Sequence, residues 1–445
     1  MAGLLAARVL SDAYEQVTVV ERDTLPGTGQ HRKGVPQGHH VHGLLPRGEE
    51  ILQAMFPGFT RELTGAGVQT CELFGEARFS PSGHLLARTA TGLRVLLSSR
   101  PLLEGHVRER VGQLANVALV EGCDVVGLGI TDDGRRVTGP RILRRSDGSA
   151  EEVLAADLVV DATGRGSRTS AWLEALGYQP PAEEQVRIGV GYASCRLRRH
   201  PAALSGDKLV VVGAEPGRPT GLALFAIEND QWILSLFGYG HRPPADSEGF
   251  WSLAARVMPP EVFEPLREAE PLDRIKTYRL NSNLRRRYER LRRFPDGLVV
   301  LGDALCSFNP IYGQGMTVAA LEAETLRRCL DRGERQLARR FFRGAAKPVD
   351  QAWKMAVGAD LALPEVEGRR SLEVRIANAY MRRLLVVAEH DGAVATGFMR
   401  VMGMLDPLPR LLRPAIALRV LRKTRDNLPH PPVSPLRSAQ ARADD

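Results

Sequence analysis

Apolar residues follow three different spacings along the chain, and each spacing predicts a different kind of element. Short apolar runs at residues 16–21, 155–161 and 298–301 are typical of buried parallel strands. Between residues 186 and 239, successive β patterns separated by turn residues predict an antiparallel sheet. Apolar residues at helical spacing predict helices at residues 46–55, 98–114, 250–266, 318–330, 335–357, 371–387 and 408–422. The chain is therefore predicted to be an α/β protein with a helical C-terminal region.

Composition sets broad limits on this fold. The 445 residues are enough for two or three domains, and no apolar run is long enough to span a membrane. The five cysteines form no C-x-x-C pair, which predicts a cytoplasmic location and argues against a dithiol-disulfide flavoenzyme. The net charge of +8 could favour an anionic cofactor or a membrane surface, or reflect an arginine-rich genome. No nucleic-acid partner is predicted.

Residues 297–320 combine a strand, a tight turn and the start of a helix. The apolar strand ends at Gly302 and Asp303, and a loop rich in turn residues, N-P-I-Y-G-Q-G, leads into the helix. The first N–H groups of that helix have no partner within it, and they lie at the positive end of its dipole. A strand, a glycine-rich loop and a helix start in this order predict a ligand site.

This stretch resembles the GD motif of FAD-dependent monooxygenases of the para-hydroxybenzoate hydroxylase type, a family that also holds squalene epoxidase and polyether epoxidases. The resemblance implies that Asp303, after Gly302, bonds the ribityl chain of FAD. It also implies that the loop and helix start lie against the isoalloxazine ring, through Pro310, Gly313, Gln314, Gly315 and Met316. The helix start would stabilise the negative charge of reduced flavin. The alternative is an ordinary strand–loop–helix turn.

The first residues resemble the second half of a Rossmann βαβ unit. Gly3 and Ala7 match the last positions of G-x-G-x-x-G-x-x-x-A, and Glu21 stands where the acid that bonds the adenosine ribose is expected. On this interpretation the first strand and the first two glycines would lie before residue 1, so that the fingerprint would be truncated. The alternative is that residues 1–10 are a simple N-terminal helix.

Three basic residues and a second motif extend the resemblance. Arg32 or Lys33 would reach the FAD pyrophosphate, and Arg100 would lie near the ribityl chain or act only in helix capping and ion pairing. The run D-A-T-G-R-G-S-R resembles the family's second fingerprint, which contacts FAD and is proposed to contact NAD(P)H. Its matching positions are Asp161, Gly164 and Arg168.

The resemblance divides the chain into an FAD-binding Rossmann-like domain, an inserted antiparallel substrate domain and a helical C-terminal region. The FAD-binding parts are residues 1–70, 98–184 and 277–345, and the substrate parts are residues 71–97 and 185–276. The C-terminal helices occupy residues 346–427, and residues 428–445 are predicted to be disordered. The candidates for the substrate pocket, which the pattern alone does not separate from ordinary core residues, are Tyr192, Phe225, Trp232, Phe237 and Tyr239. His39, His40 and His42 match no metal-ligand spacing, so no metal site is predicted.

The function implied by the resemblance is an NAD(P)H-consuming monooxygenase. FAD is reduced, O2 forms a flavin C(4a)-hydroperoxide, and one oxygen atom enters a small lipophilic or aromatic substrate by hydroxylation or epoxidation. An isoprenoid double-bond reductase and a non-catalytic scaffold are the alternatives, and the W-x-W-x-I-P motif of flavin-dependent halogenases is absent. Residues 408–422 either contact a membrane surface weakly or cap the core.

Overall fold

The computed structural model describes residues 1–145, 150–200 and 203–423 of the chain. The tail predicted to be disordered, residues 428–445, lies outside the described residues. In the described residues the strands are β1 (Val17–Val20), β2 (Gln69–Glu72), β3 (Ala77–Ser80), β4 (Arg94–Leu97), β5 (Val117–Val120), β6 (Cys123–Ile130), β7 (Val137–Arg144), β8 (Glu152–Val153), β9 (Val159–Asp161), β10 (Glu183–Arg198), β11 (Leu209–Val212), β12 (Thr220–Ile227), β13 (Gln231–Tyr239), β14 (Lys276–Arg286), β15 (Leu298–Val300) and β16 (Cys306–Ser307). The helices are α1 (Ala2–Leu10), α2 (Pro46–Met55), α3 (Phe59–Gly65), α4 (Arg100–Gly112), α5 (Thr169–Ala175), α6 (Ser247–Val257), α7 (Pro260–Arg267), α8 (Gly315–Leu330), α9 (Leu337–Asp360), α10 (Leu372–Ala388), α11 (Gly392–Met402) and α12 (Pro414–Lys423).

The Rossmann-like part is built on two parallel strand pairs. β1 pairs with β5, β9 pairs with β15, and no described strand joins the two pairs by hydrogen bonds. α1 packs against α8 and against both strand pairs, and its apolar side chains join the largest core cluster. A Cβ at Gly3 would lie 3.3 Å from the Cβ of Ala162. Glycine therefore allows the close approach of helix and strand that the fingerprint predicts.

The second part is a seven-stranded sheet in the order β16-β14-β10-β13-β12-β11-β3, antiparallel except for the β11–β3 pair. One face packs against α6 and α7, and the other face contacts the C-terminal helices and the loop before α8. The substrate part is predicted to end at residue 276. In the structure the sheet continues beyond that residue, because β14 pairs along β10 before the chain returns to the Rossmann-like part. The sheet confirms the antiparallel sheet predicted between residues 186 and 239.

Up to residue 423, where the described part of the chain ends, the C-terminal region has four α-helices, one more than the pattern predicts. α11 begins where the Asp391 carboxylate accepts the N–H groups of Ala393 and Val394, and it has no counterpart among the predicted helices. The single helix predicted over residues 408–422 is a 3-10 turn (Leu408–Leu412) followed by α12. Pro414 is the first residue of α12, where its missing N–H is not needed. None of the described helices has the length and apolarity that a membrane crossing requires.

Candidate cofactor site

The floor of the candidate site is the turn that follows β15. The N–H of Leu301 extends the pairing with β9 by donating to the Asp161 carbonyl at 3.0 Å. Gly302 then adopts a φ of +67°, in the left-handed region that favours glycine. A Cβ at Gly302 would also lie 2.6 Å from the Cβ of Ala2. The turn therefore requires glycine, and it brings Asp303 to the surface.

Three residues of the stretch 298–320 are exposed, namely Asp303, Pro310 and Gly315, while the others are buried except for the half-buried residues 311–313. A Cβ added at Gly315 would meet no atom within 4 Å, so open space lies over the start of α8. α8 has 16 residues, and its free N–H groups and positive dipole end lie at this opening. A cleft with a carboxylate and a helix N-terminus fits a cofactor that carries both hydroxyl groups and negative charge.

Protein surrounds the Asp303 carboxylate, although the cleft leaves it open to solvent. Desolvation raises the pKa of Asp303, and the positive charges of Arg100 and Arg165 oppose the rise. A hydroxyl group that donates to a partly desolvated carboxylate forms a stronger hydrogen bond than it would in water. Arg165, in the loop after β9, is a residue of this cleft that the sequence analysis did not single out.

Glu322 on α8 holds the turn from below, and the sequence pattern did not indicate it. Its side chain is fully buried, and its Oε2 accepts the Gly302 N–H at 2.5 Å. Among the described residues its Oε1 has no hydrogen-bond partner. Burial raises the pKa of Glu322 to about 8, and the nearby Asp303 charge adds to the rise. Glu322 occupies a position on the apolar face of α8. Nothing in the neighbouring sequence indicates that this position holds a buried acid.

Asn309 fixes the loop that leads into α8. Its Oδ1 accepts the Tyr192 hydroxyl at 2.8 Å and the Ile311 N–H at 3.3 Å. Its Nδ2 donates to the Tyr239 hydroxyl at 2.9 Å and to Asp360 at 2.8 Å. Residues 310–312 form a 3-10 turn, which ends at Gly313 with a φ of +65°. Pro310 is therefore presented to the cleft by a loop that is held from the substrate sheet.

Two residues predicted to contact the cofactor point their side chains elsewhere. Gln314 is 1% exposed and its amide nitrogen lies 3.9 Å from the Met355 sulfur, while the Met316 side chain belongs to the core. Only their backbone groups, at the start of α8, are placed to contact a ligand. Of the other predicted residues, Pro310 and Gly315 are exposed, Gly313 is half-buried and Gly302 is buried in the turn, and contact of each with a ligand stays a prediction.

The predicted ribose and pyrophosphate residues form one ionic cluster. The Arg32 guanidinium lies 2.7 Å from Glu21 and 2.8 Å from Glu104. Arg100 lies 2.7 Å from the other oxygen of Glu104, and it is the first residue of α4, whose N-cap is Ser99. Burial alone would raise the pKa of Glu104, but the N-terminal ammonium, Arg100 and Arg32 lower it below its ordinary range. Lys33 is exposed beside this cluster.

The second fingerprint is a loop that folds around its own acid. The Asp161 carboxylate accepts hydrogen bonds from the hydroxyls of Thr163, Ser167 and Thr169 at 2.5–2.6 Å. Gly164 has a φ of +83°, as the turn requires. Arg168 is exposed, and its guanidinium lies over the Trp172 ring at 5.9 Å. Asp161 therefore shapes the loop that carries Arg165 rather than presenting its carboxylate to the cleft.

The five predicted pocket aromatics do not share one face of the sheet. Tyr192, Phe237 and Tyr239 lie in one apolar cluster, and Phe225 lies on the same face in a neighbouring cluster. Trp232 lies on the opposite face, in the core under α6 and α7. The prediction that Trp232 lines the pocket is wrong, because Trp232 and Phe237 are five positions apart along β13 and so point to opposite faces.

His40 lies beside the aromatic cluster of Tyr192 and Phe237. It is 5% exposed, and its ring lies 5.8 Å from the Tyr192 and Tyr278 rings. Its Nδ1 is 2.7 Å from the Ser194 hydroxyl, and among the described residues its Nε2 has no partner. Burial lowers the pKa of His40 to about 3, so the imidazole is neutral at pH 7. The pattern could identify this histidine only as a loop residue.

Comparison with known proteins finds a relative that matches most of the chain. The chain is 37% identical to Protein Rv3254 of Mycobacterium tuberculosis (strain ATCC 25618 / H37Rv) over 438 residues, which cover 92% of this chain and 88% of that protein. No protein-family model matches the chain.

Solved structures with the same architecture are more distant in sequence. A flavoprotein/dehydrogenase from Cytophaga hutchinsonii superposes with a TM-score of 0.67 at 15% identity, covering 96% of this chain and 97% of that chain. PqsL, a probable FAD-dependent monooxygenase from Pseudomonas aeruginosa, superposes with a TM-score of 0.59 at 18% identity, covering 89% and 96%. The chain thus belongs to the same family as Protein Rv3254, and its fold is that of the FAD-dependent monooxygenases.

Proposed function

We propose that the protein is an FAD-dependent monooxygenase that consumes NAD(P)H and inserts one oxygen atom from O2 into a small lipophilic or aromatic molecule. The observation that carries the proposal is the exposure of Asp303, Pro310 and Gly315 in a stretch whose other residues are buried or half-buried. These residues surround the opening at the start of α8. Because a fold hosts many functions, the proposal rests on this site and not on the fold alone.

The residues around the cleft fit FAD. Asp303 would accept hydroxyl groups of the ribityl chain, and Glu21 would accept those of the adenosine ribose. The start of α1 and the Arg32–Arg100 cluster would face the pyrophosphate, since both supply positive charge. The start of α8 would stabilise negative charge on the reduced ring. FAD, when bound and reduced by NAD(P)H, supplies the chemistry that activates O2.

The substrate would lie between the sheet and the loop before α8. Most side chains there are apolar or aromatic, among them Tyr192, Phe237, Leu280 and Leu361, and the polar Asn309 and Asp360 lie beside them. Such a pocket excludes water and suits an apolar molecule with few polar groups. The neutral His40, whose Nε2 is unpartnered among the described residues, would orient one polar group of that molecule.

The experiment measures O2 uptake by the FAD-loaded protein with NADH or NADPH, followed by mass spectrometry of products formed under ¹⁸O2. A panel of phenols and prenylated alkenes serves as substrate probes. A product that carries one ¹⁸O atom supports the monooxygenase. Hydrogenated alkenes without ¹⁸O would instead support the reductase, and FAD binding without NAD(P)H oxidation would support a non-catalytic scaffold. An Asp303→Asn variant is the matched control, because it should lose FAD together with either activity.

A weak membrane contact remains a separate proposal. Leu412, Leu418 and Leu421 are exposed on the last turn and helix, and Arg413 and Arg422 lie among them. Apolar and basic side chains on one short amphipathic element favour an anionic lipid surface. Sedimentation with phosphatidylserine vesicles tests this contact, and equal sedimentation of a Leu418→Glu variant would contradict it.

A further inference from the structure

Asp360, the last residue of α9, is a fully buried carboxylate between the substrate sheet and the loop before α8. Four neutral groups donate hydrogen bonds to it. They are the hydroxyls of Tyr239 and Tyr312 at 2.8 Å each, and the amide nitrogens of Asn309 at 2.8 Å and Asn283 at 2.6 Å. The carboxylate therefore joins β13, β14, α9 and the loop at one point.

The hydrogen bonds favour the charged form of Asp360. All four neighbours are placed as donors and the two amide nitrogens can only donate, whereas a protonated carboxyl group would need one of the tyrosine hydroxyls to turn and accept its hydrogen. Burial raises the pKa of Asp360, and the same four hydrogen bonds oppose the rise. Within the described part of the chain, no lysine, arginine or histidine pairs with this carboxylate. A negative charge that only neutral dipoles balance acts over a longer distance than a paired one.

The charge acts on both ends of the Pro310 turn. At the beginning of the turn it holds the Asn309 amide, whose oxygen accepts the Ile311 N–H. At the end of the turn it holds the Tyr312 hydroxyl. Pro310 is exposed to the cleft between these two anchors. Any change at Asp360 therefore reaches the surface that faces the cofactor.

We propose that Asp360 is a positioning residue of the cofactor site, whose buried charge holds residues 309–312 in place and lowers the reduction potential of the bound flavin. The inference rests on the proposed FAD site. A fixed negative charge near the ring opposes the negative charge gained on reduction, so the oxidised form is favoured. The helix start of α8 acts in the opposite direction.

The test compares wild type with Asp360→Asn and with the control Asp406→Asn, after FAD loading. Asp406 is also a buried carboxylate of the C-terminal region, but its partners are Arg400 and Arg410, away from the loop. We expect Asp360→Asn to retain FAD and to show a higher midpoint potential and a shifted visible spectrum. Asp406→Asn should leave both readouts unchanged, whatever its effect on thermal stability.

A second variant covers the case in which Asp360→Asn does not fold. Tyr312→Phe removes one hydrogen bond and keeps the charge, so we expect FAD to dissociate about five-fold more readily without a rise in potential. An unchanged potential in Asp360→Asn, or unchanged FAD affinity in Tyr312→Phe, would overturn the inference. Failure of the wild type to bind FAD would instead reject the proposed function.

Discussion

The carboxyl group of Glu322 on α8 accepts the backbone N–H of Gly302 at 2.5 Å, so the helix that follows the cofactor loop holds the turn that precedes it. The Glu322 side chain is fully buried, and burial raises its pKa to about 8. Between the ordinary pKa of a glutamate and pH 8, the folded protein keeps a proton that the unfolded chain releases. Stability is therefore expected to fall as the pH rises through this window.

The Glu322→Gln variant should remove that dependence. Its amide oxygen still accepts the Gly302 N–H, but it has no proton to lose. We compare the difference in the free energy of unfolding, variant minus wild type, at two pH values. This difference should be larger at pH 8 than at pH 5 by on the order of 1–3 kcal/mol. Thermal melts of the FAD-free proteins at both pH values measure the difference. Parallel pH profiles for the two proteins would contradict the assigned proton.

Asp303→Asn tests the proposed ribityl contact. Loss of a charged acceptor is expected to weaken FAD binding by about 10- to 100-fold, since hydrogen bonds to charged groups contribute about 1.5–3 kcal/mol. Titration of FAD fluorescence measures the dissociation constant. Asp331→Asn, an exposed acid just after α8, is the control and should bind like wild type. Equal affinities for all three proteins would remove Asp303 from the site.

Two glycine substitutions distinguish a glycine that the turn requires for folding from a glycine that lies at the proposed binding surface. Gly302→Ala meets both a φ of +67° and the Ala2 Cβ at 2.6 Å, so we expect it to lower the melting temperature of the FAD-free protein by several degrees. Gly315→Ala meets no protein atom within 4 Å and should leave that temperature unchanged. It should nevertheless weaken FAD binding, because its methyl group enters the cleft. Normal FAD affinity in Gly315→Ala would show that the opening over α8 is not the binding surface.

The buried His40 predicts that stability also depends on pH in the acidic range, with the opposite sign to the dependence expected from Glu322. Burial lowers its pKa to about 3, so between that value and its ordinary range the unfolded chain binds a proton that the folded protein does not. Stability is thus lost as the pH falls. His40→Gln should remove about 1–2 kcal/mol of the loss between pH 7 and pH 5. The exposed His390, changed to Gln, serves as the control; an equal effect of both variants would contradict the burial of His40.

Elements with a local signal could be predicted from the sequence. The helix expected at residues 46–55 is α2, and the serine expected to cap the helix near residue 100 is Ser99. The strand follows from an apolar run of residues. The turn follows from Gly302, whose backbone is in the left-handed region that favours glycine. Proline and glycine in the loop to α8 likewise predict turns there, and the structure shows a 3-10 turn that ends at Gly313.

What sequence reasoning missed depends on contacts between distant residues. Asp360 and Asn309 are 51 positions apart, and neither helix spacing nor loop composition marks them as partners. Glu322 lies at a position where the pattern of α8 favours an apolar side chain. Trp232 is different, because the odd spacing from Phe237 along β13 was available in the sequence and separates the two faces.

The most direct test of the central claim is a visible absorption spectrum of the purified protein after loading with FAD and desalting. The measurement covers the 445-residue chain and its Asp303→Asn and Asp331→Asn variants. The account predicts stoichiometric flavin bands in the protein fraction, weakened in the Asp303→Asn variant and preserved in Asp331→Asn. Absence of flavin from the unsubstituted chain would contradict the proposal that the cleft over Asp303 and Gly315 is a flavin site.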